Sequence, residues 1–259
     1  MVNIHPTAII HSKAELGNGV EVGPYSTIGE DVIIGNNCKI HSHVVINSGT
    51  RLGNNVKIWN GAVLGTAPQD LKYSGEKTYL EVGDGTTIRE YATLNRGTEH
   101  NNITIVGKDC LLMAYVHVAH DCVIGNNVIL SNAVNMAGHV EIEDSVGIGG
   151  MSAIHQFVKI GCHCFVGGGF RVTKDVPPYV LATGLPLQYA GINGTGLERR
   201  GFSSETLLGI KRAYKIIFRS PLTKTEAIEE IKKTMKITPE IENIIHFVET
   251  SKRGLIKGE

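Results

Sequence analysis

Eleven histidines are many for a chain of 259 residues, and the separations of four of them, His117, His120, His139 and His155, carry information. Imidazole exchanges a proton near neutral pH, so several converging on one cleft suit general acid–base work. The same side chain is a common zinc ligand. In the third reading the four merely occupy exposed turns, as His5, His11, His41, His43 and His163 are expected to do. Any joint chemistry requires a fold that brings together residues 38 positions apart, the distance from His117 to His155.

Such a fold is written in the aliphatic residues. Ile4, Ile10, Leu16, Val22, Ile28 and Ile34 open a series spaced by six that runs in register to Val172. Of its 29 positions, 26 are aliphatic or Met; only Asp70, Glu76 and His100 break it. A helix would space its apolar residues by three and four, and a plain strand would alternate. A strict hexad predicts a solenoid of short straight runs, each turning one aliphatic side chain inward. Gly commonly follows the frame residue, with Asn pairs after several of them, as in Gly35-Asn36-Asn37 and Gly53-Asn54-Asn55. Both types tolerate positive φ, which predicts a tight corner at the end of each hexad. Three hexads close a triangular coil of 18 residues, and such coils stack about 4.8 Å apart. Taken modulo 18, His117, His155, His120 and His139 fall at 9, 11, 12 and 13, near one corner on three consecutive coils. Roughly eight to ten coils are expected.

The pattern lapses over about 66–80 and 97–105 without losing phase, which predicts two loops ejected from the stack. Loops on a rigid scaffold are favoured places for binding residues. The hexads stop before Asp175-Val176-Pro177-Pro178, so the chain divides into a solenoid, 1–190, and a helical domain, 191–259. Ser204 caps a helix over 205–219, Thr223 and Glu226 have capping-box spacing for a second to about Lys236, and Thr238-Pro239 opens a third ending near Arg253. This tail is expected to cover an open end of the solenoid. Lys+Arg 25 balances Asp+Glu 25, so no global field calls for nucleic acid or a membrane surface. The chain enters its first hexad at Asn3-Ile4 and has no long apolar run, which predicts no signal peptide, no transmembrane segment and a cytoplasmic protein. Cys38, Cys110, Cys122 and Cys164 each precede a frame residue by two, an inward position, and predict buried thiols rather than disulfides.

The hexads resemble the left-handed parallel β-helix of the hexapeptide-repeat acyltransferases, and the handedness is implied by that resemblance alone. Four segments narrow it: Gln69-Asp70-Leu71-Lys72-Tyr73, His117-Val118-Ala119-His120-Asp121-Cys122, Gly138-His139-Val140, and Gly149 through Phe157 with its His155-Gln156-Phe157. With Arg199-Arg200-Gly201-Phe202 and Arg253-Gly254-Leu255-Ile256, they resemble the UDP-N-acetylglucosamine O-acyltransferases, which open lipid A biosynthesis. The resemblance implies transfer of a 3-hydroxyacyl chain from acyl carrier protein to the sugar 3-hydroxyl of UDP-N-acetylglucosamine by a homotrimer, with no metal or other cofactor. His120 matches the general base, Asp121 the group that orients it, and Gly138 the backbone N–H donor to the oxyanion. His117, His139, His155 and Gln156 match positions around the sugar and acyl donor; Gln69, Asp70 and Lys72 match loop groups holding sugar and phosphates. Asn193, Arg199 and Arg200 match nucleotide- or donor-handling positions, and Gly168 matches the acyl-length ruler, where a residue without a side chain implies a long chain. Lys211, Arg212, Lys215 and Arg219 form a basic helix face suited to an acidic carrier protein. Thr195 stands where Glu is common and Pro186 where His is common, which alters contacts to the nucleoside. The rival readings are a zinc protein like the γ-carbonic anhydrases, the related N-acyltransferase of the same pathway, and a scaffold without activity. One base serves a 3-hydroxyl or a 3-amino acceptor equally.

Overall fold

The computed structural model describes residues 1–258. Most hexads supply a strand of only two residues, such as Glu21–Val22 and Thr27–Ile28, with the first residue outward and the second inward. Three parallel sheets run the length of the solenoid. One stacks Val22, Ile40, Ile58, Ile88, Leu112, Leu130, Ile148 and Val166 in unbroken register. All eight are at most 3 % exposed. Burial of each aliphatic side chain is worth roughly 1.5–3 kcal/mol, so this ladder is the axis of the core.

Register also explains why the hexad keeps phase through its two lapses. Ile40 pairs Ile58 at a separation of 18, Ile58 pairs Ile88 at 30, and Ile88 pairs Leu112 at 24. The extra lengths are whole hexads, ejected as residues 67–78, between Val63–Thr66 and Tyr79–Val82, and 96–102, between Thr93–Asn95 and Ile103–Val106. Asp70, Glu76 and His100, the three frame breakers, all lie on these loops.

The corners differ from expectation in one respect. Apart from Gly65 beside the first ejected loop, the left-handed residue is not the Gly after the frame but the residue two further on, filled by Asn37, His43, Asn55, Tyr91 or Asp121 at φ near +60°. The Gly is required for contact instead: a Cβ on Gly35 would stand 2.5 Å from the carbonyl oxygen of Gly53 on the next coil. The inward position two before the frame holds Cys38, Cys110 and Cys122, all buried. Each thiol donates to a carbonyl fifteen residues on, at 3.1, 3.1 and 3.2 Å, so these cysteines are packing groups with their polar end satisfied.

Val180–Thr183 adds to the edge at Phe165–Val166 and turns back antiparallel on Gln188–Ile192. Helices α1 (Gly194–Arg199), α2 (Ser204–Arg219), α3 (Lys224–Thr234) and α4 (Pro239–Thr250) follow. Ser203, not Ser204, caps α2, accepting from the Thr206 N–H. The capping box of Thr223 and Glu226 is present on α3, which ends at Thr234, and Thr238 caps α4, which ends at Thr250. Tyr214 of α2 is fully buried and donates to the Pro178 carbonyl at 2.6 Å, tying the helices onto the last coil. Among the described residues no helix is long and apolar enough to cross a membrane.

Candidate active site

The strands His117–Val118, Asn135–Met136 and Ala153–Ile154 lie one above another, and each ends in the same corner. The left-handed residues of that corner are Asp121, His139 and Phe157, at φ +59°, +59° and +63°. Stacking by coil therefore places His139 parallel to Phe157, ring centres 4.6 Å apart, and edge-on to His120 at 5.1 Å. His100, from the second ejected loop, stands perpendicular to His139 with ring centres 4.9 Å apart.

His120 Nδ1 lies 2.7 Å from Asp121 Oδ2. The Asp121 side chain is wholly buried. Thr98 donates to it twice, N–H to Oδ1 at 3.0 Å and Oγ1 to Oδ2 at 2.7 Å. Burial alone would push this carboxyl up; the hydrogen bonds from Thr98 and His120, with the nearby His139, outweigh it and hold Asp121 below the usual carboxylate range. An ionised carboxylate only accepts, so Nδ1 carries a proton, and in the neutral imidazole the acceptor nitrogen is Nε2. Burial lowers His139, against the pull of Asp121, and it lowers His117 with help from the neighbouring His120. His117 is also fixed by Thr93 Oγ1 at 2.7 Å from its Nδ1.

Gly138 stands over the His120 ring. A Cβ there would lie 2.5 Å from Cε1 and 2.7 Å from Nε2, so glycine makes the room the imidazole occupies. The flanking amides are engaged, Ala137 N–H with Ile154 O and His139 N–H with His120 O, while the Gly138 N–H makes no bond among the described residues. Cys122, next in chain to Asp121, faces inward, and burial pushes its thiol up to about 12, which removes it as a nucleophile.

Asp70 and Lys72 of the first loop line a cleft of about 280 Å³ together with His100, His139 and Phe157. A second hollow of about 500 Å³ extends from His139 and Asp121 past Lys159 to Arg253. A larger hollow, about 570 Å³, lies under the first loop between Lys13 and Arg96 and touches none of the four histidines. His155 and Gln156 sit on the same corner as His120 but are exposed, as is Gln69. The chain does not bring every expected residue to His120. Asn193 and Arg200 bond the carbonyls of His163 and Ser145 on another corner, Arg199 ends α1, and Gly168 lies on the third corner after Phe165–Val166. Lys211, Arg212, Lys215 and Arg219 are exposed along α2. His163 is not the exposed turn residue expected: it is half-buried, stacked on Tyr179 at 5.8 Å and edge-on to Phe202 at 5.1 Å.

Sequence reasoning missed Thr98, His100 and Phe157. Phe157 follows His139 by one coil and was within reach of the modulo-18 count, whereas Thr98 reaches Asp121 across an ejected loop whose path no periodicity encodes. His120, Asp121 and His139 place one donor atom each within 4.8 Å of the others. Yet the 2.7 Å between Nδ1 and Oδ2 is a hydrogen-bond distance, and Oδ2 already takes the Thr98 hydroxyl.

A parallel β-helix with an imidazole–carboxylate pair on one corner and a helical cap defines the class of hexapeptide-repeat transferases. The bacterial transferase hexapeptide model matches residues 31–66 and 103–138, and the model described as UDP-N-acetylglucosamine O-acyltransferase, domain 2, matches 175–256. The chain is 52 % identical to the acyl-[acyl-carrier-protein]–UDP-N-acetylglucosamine O-acyltransferase of Herminiimonas arsenicoxydans, over 98 % of this chain and 99 % of that one. The solved UDP-N-acetylglucosamine acyltransferase of Bacteroides fragilis superposes with TM-score 0.97 at 44 % identity, covering 98 % of this chain and 99 % of its own. The corresponding structure from Acinetobacter baumannii gives 0.95 at 46 % identity over the same shares. The chain belongs to the acyl-[acyl-carrier-protein]–UDP-N-acetylglucosamine O-acyltransferase family, and its fold is the left-handed parallel β-helix of that family.

Proposed function

We propose that this cleft transfers a 3-hydroxyacyl chain from acyl carrier protein to the 3-hydroxyl of UDP-N-acetylglucosamine, the opening step of lipid A biosynthesis. The observation that carries the reading is the buried, twice-anchored Asp121 fixing the Nδ1–H of His120 and leaving Nε2 as the base. In this mechanism Nε2 removes the proton of the sugar hydroxyl as its oxygen attacks the thioester carbonyl, and Asp121 stabilises the imidazolium. The oxyanion accepts from the free N–H of Gly138. Collapse expels the carrier thiolate, which regains a proton from His120 Nε2, so no acyl-enzyme forms. His117, His139, His155 and Gln156 contact the sugar and acyl donor, and Gln69, Asp70 and Lys72 hold sugar and phosphates from the first loop.

Asn193, Arg199, Arg200 and Gly168 reach the substrate of this base only from a neighbouring copy, so the working unit is a homotrimer with shared sites. An exposed column on one corner supports that assembly: Tyr25, Tyr91, Tyr115 and Met151 are 55–78 % exposed. The Lys211, Arg212, Lys215 and Arg219 face of α2 receives the acidic carrier. Division at 190 and 191 would fall within the strand Gln188–Ile192. Free thiols at all five cysteines and an acyl-carrier substrate favour the cytoplasm.

The test is mass spectrometry of products from UDP-N-acetylglucosamine and a panel of 3-hydroxyacyl carriers, with His120→Ala alongside. An O-acylated sugar nucleotide that disappears in a folded variant is the expected result. Product retained by His120→Ala would remove the base. No product with any chain directs the assay to the 3-amino acceptor, and then to measurement of bound zinc.

A further inference from the structure

Asp121 is tied into the molecule by a residue on the loop ejected from the preceding coil, whose strand Thr93–Asn95 pairs with His117–Val118. Thr98 lies at the start of the second ejected loop, where Gly97 accommodates close approach of the returning backbone at Asn102 and Ile103. Its N–H and hydroxyl span both oxygens of the carboxylate, and its own Oγ1 accepts from the His100 N–H at 3.3 Å. Thr98 and Asp121 are 7 % and 1 % exposed, so water does not compete for these bonds. On the far side, Asp121 N–H donates to Thr104 Oγ1 at 2.8 Å, which fixes the backbone but leaves the carboxylate free to rotate. Among the described residues, the one side-chain hydroxyl setting the plane of the carboxylate is that of Thr98.

We infer that Thr98 is a positioning residue: its hydroxyl and amide clamp Asp121 in the rotamer that receives the Nδ1–H of His120, coupling the second loop to the base. This rests on His120 being the base. A hydroxyl that donates to Oδ2 also shares that oxygen's charge, and so moderates how strongly it favours the imidazolium. Removing it should loosen the aim of His120 and raise its affinity for a proton at once. The charged and titratable groups around the pair are His117 on the same coil, His139 above, His100 on the loop and Asp70 from the first loop, with Lys72, Tyr73, Glu76 and Glu99 at the rim and Glu141, Lys159, Asp175, Lys252 and Arg253 along the hollow on the Asp121 side. They are common to native and variant protein, so a difference between the two isolates the hydroxyl.

The experiment compares Thr98→Val and Thr98→Ser with native enzyme in the full acyl-transfer assay across pH. Thr98→Val should lower kcat by about tenfold to a hundredfold, the usual worth of a hydrogen bond to a charged group. KM for UDP-N-acetylglucosamine should stay near native, and the acid limb of kcat/KM should move to higher pH. Thr98→Ser, which restores the hydroxyl, should recover most of the rate and the native limb. A native rate and profile in Thr98→Val would overturn the inference, as would a Ser variant no better than Val with an unmoved limb. Retained activity in His120→Ala would instead strike the base itself, so the two failures are told apart.

Discussion

Asp121 and His139 adopt left-handed backbone, a conformation that costs an ordinary L-residue about 1–2 kcal/mol. Corners of the coil demand it of whatever residue stands there, so Asp121, His139 and Phe157 share it along one edge. Their setting has a consequence for pH. Burial lowers His117 and His139, so the unfolded chain takes up their protons before the folded one does. Their contribution is complete above the ordinary imidazole value of about 6.5 and declines as pH falls through it toward the folded values. Asp121, lowered too, is lost only at more acidic pH, below the ordinary carboxylate value of about 3.9. The melting temperature should therefore drop between pH 7.5 and 5, and His139→Gln, which cannot titrate, should flatten part of that slope. An equal slope in native and variant protein would refute this. The pairing of His120 with Asp121 could be read from adjacency, but their burial could not, because it depends on a loop folding back over them.

Each coil rests on two different demands made two residues apart. Gly35→Ala places a Cβ 2.5 Å from the Gly53 carbonyl oxygen, where backbone must move, and should cost about 1–3 kcal/mol in chemical denaturation. Asn37→Gly removes the side chain at φ +56° and should cost well under that. The reverse order would restore the expectation that the Gly is there for its φ. Hexad phase, inward cysteines and helix caps were legible because each depends on local geometry. The swap of roles between Gly and Asn was not, since the collision that forbids a side chain involves the next coil. Gly168 is of the same kind: a Cβ there would meet Gly150 O at 3.0 Å, tight but tolerable. Gly168→Met should shift product formation toward shorter acyl chains with the melting temperature near native; unchanged chain selectivity would remove the ruler.

At the scale of the molecule, the proposed function requires a site divided between chains. His120, Asp121, Gly138, His139, Asp70 and Lys72 gather within one chain, whereas Arg200 lies on a different corner. Mixed trimers test the division. Chains carrying His120→Ala and chains carrying Arg200→Ala, each impaired alone, should recover about a quarter of native activity when unfolded and refolded together, since random assembly leaves that share of shared sites intact. No recovery would place both residues in one site of one chain. The sequence by itself determined the solenoid, the coil length and the histidine corner, because a period of six repeated over about 170 residues leaves a strand no other register. The resemblance to the family rested instead on the motifs set on that frame, His117 through Cys122 and His155-Gln156-Phe157 among them. Only the tertiary structure decided that Thr98 anchors Asp121, that Gly138 makes way for His120, and that Arg200 and Gly168 face away from the base. Those contacts join segments whose separation follows no period, and their geometry is set by packing across coils and ejected loops.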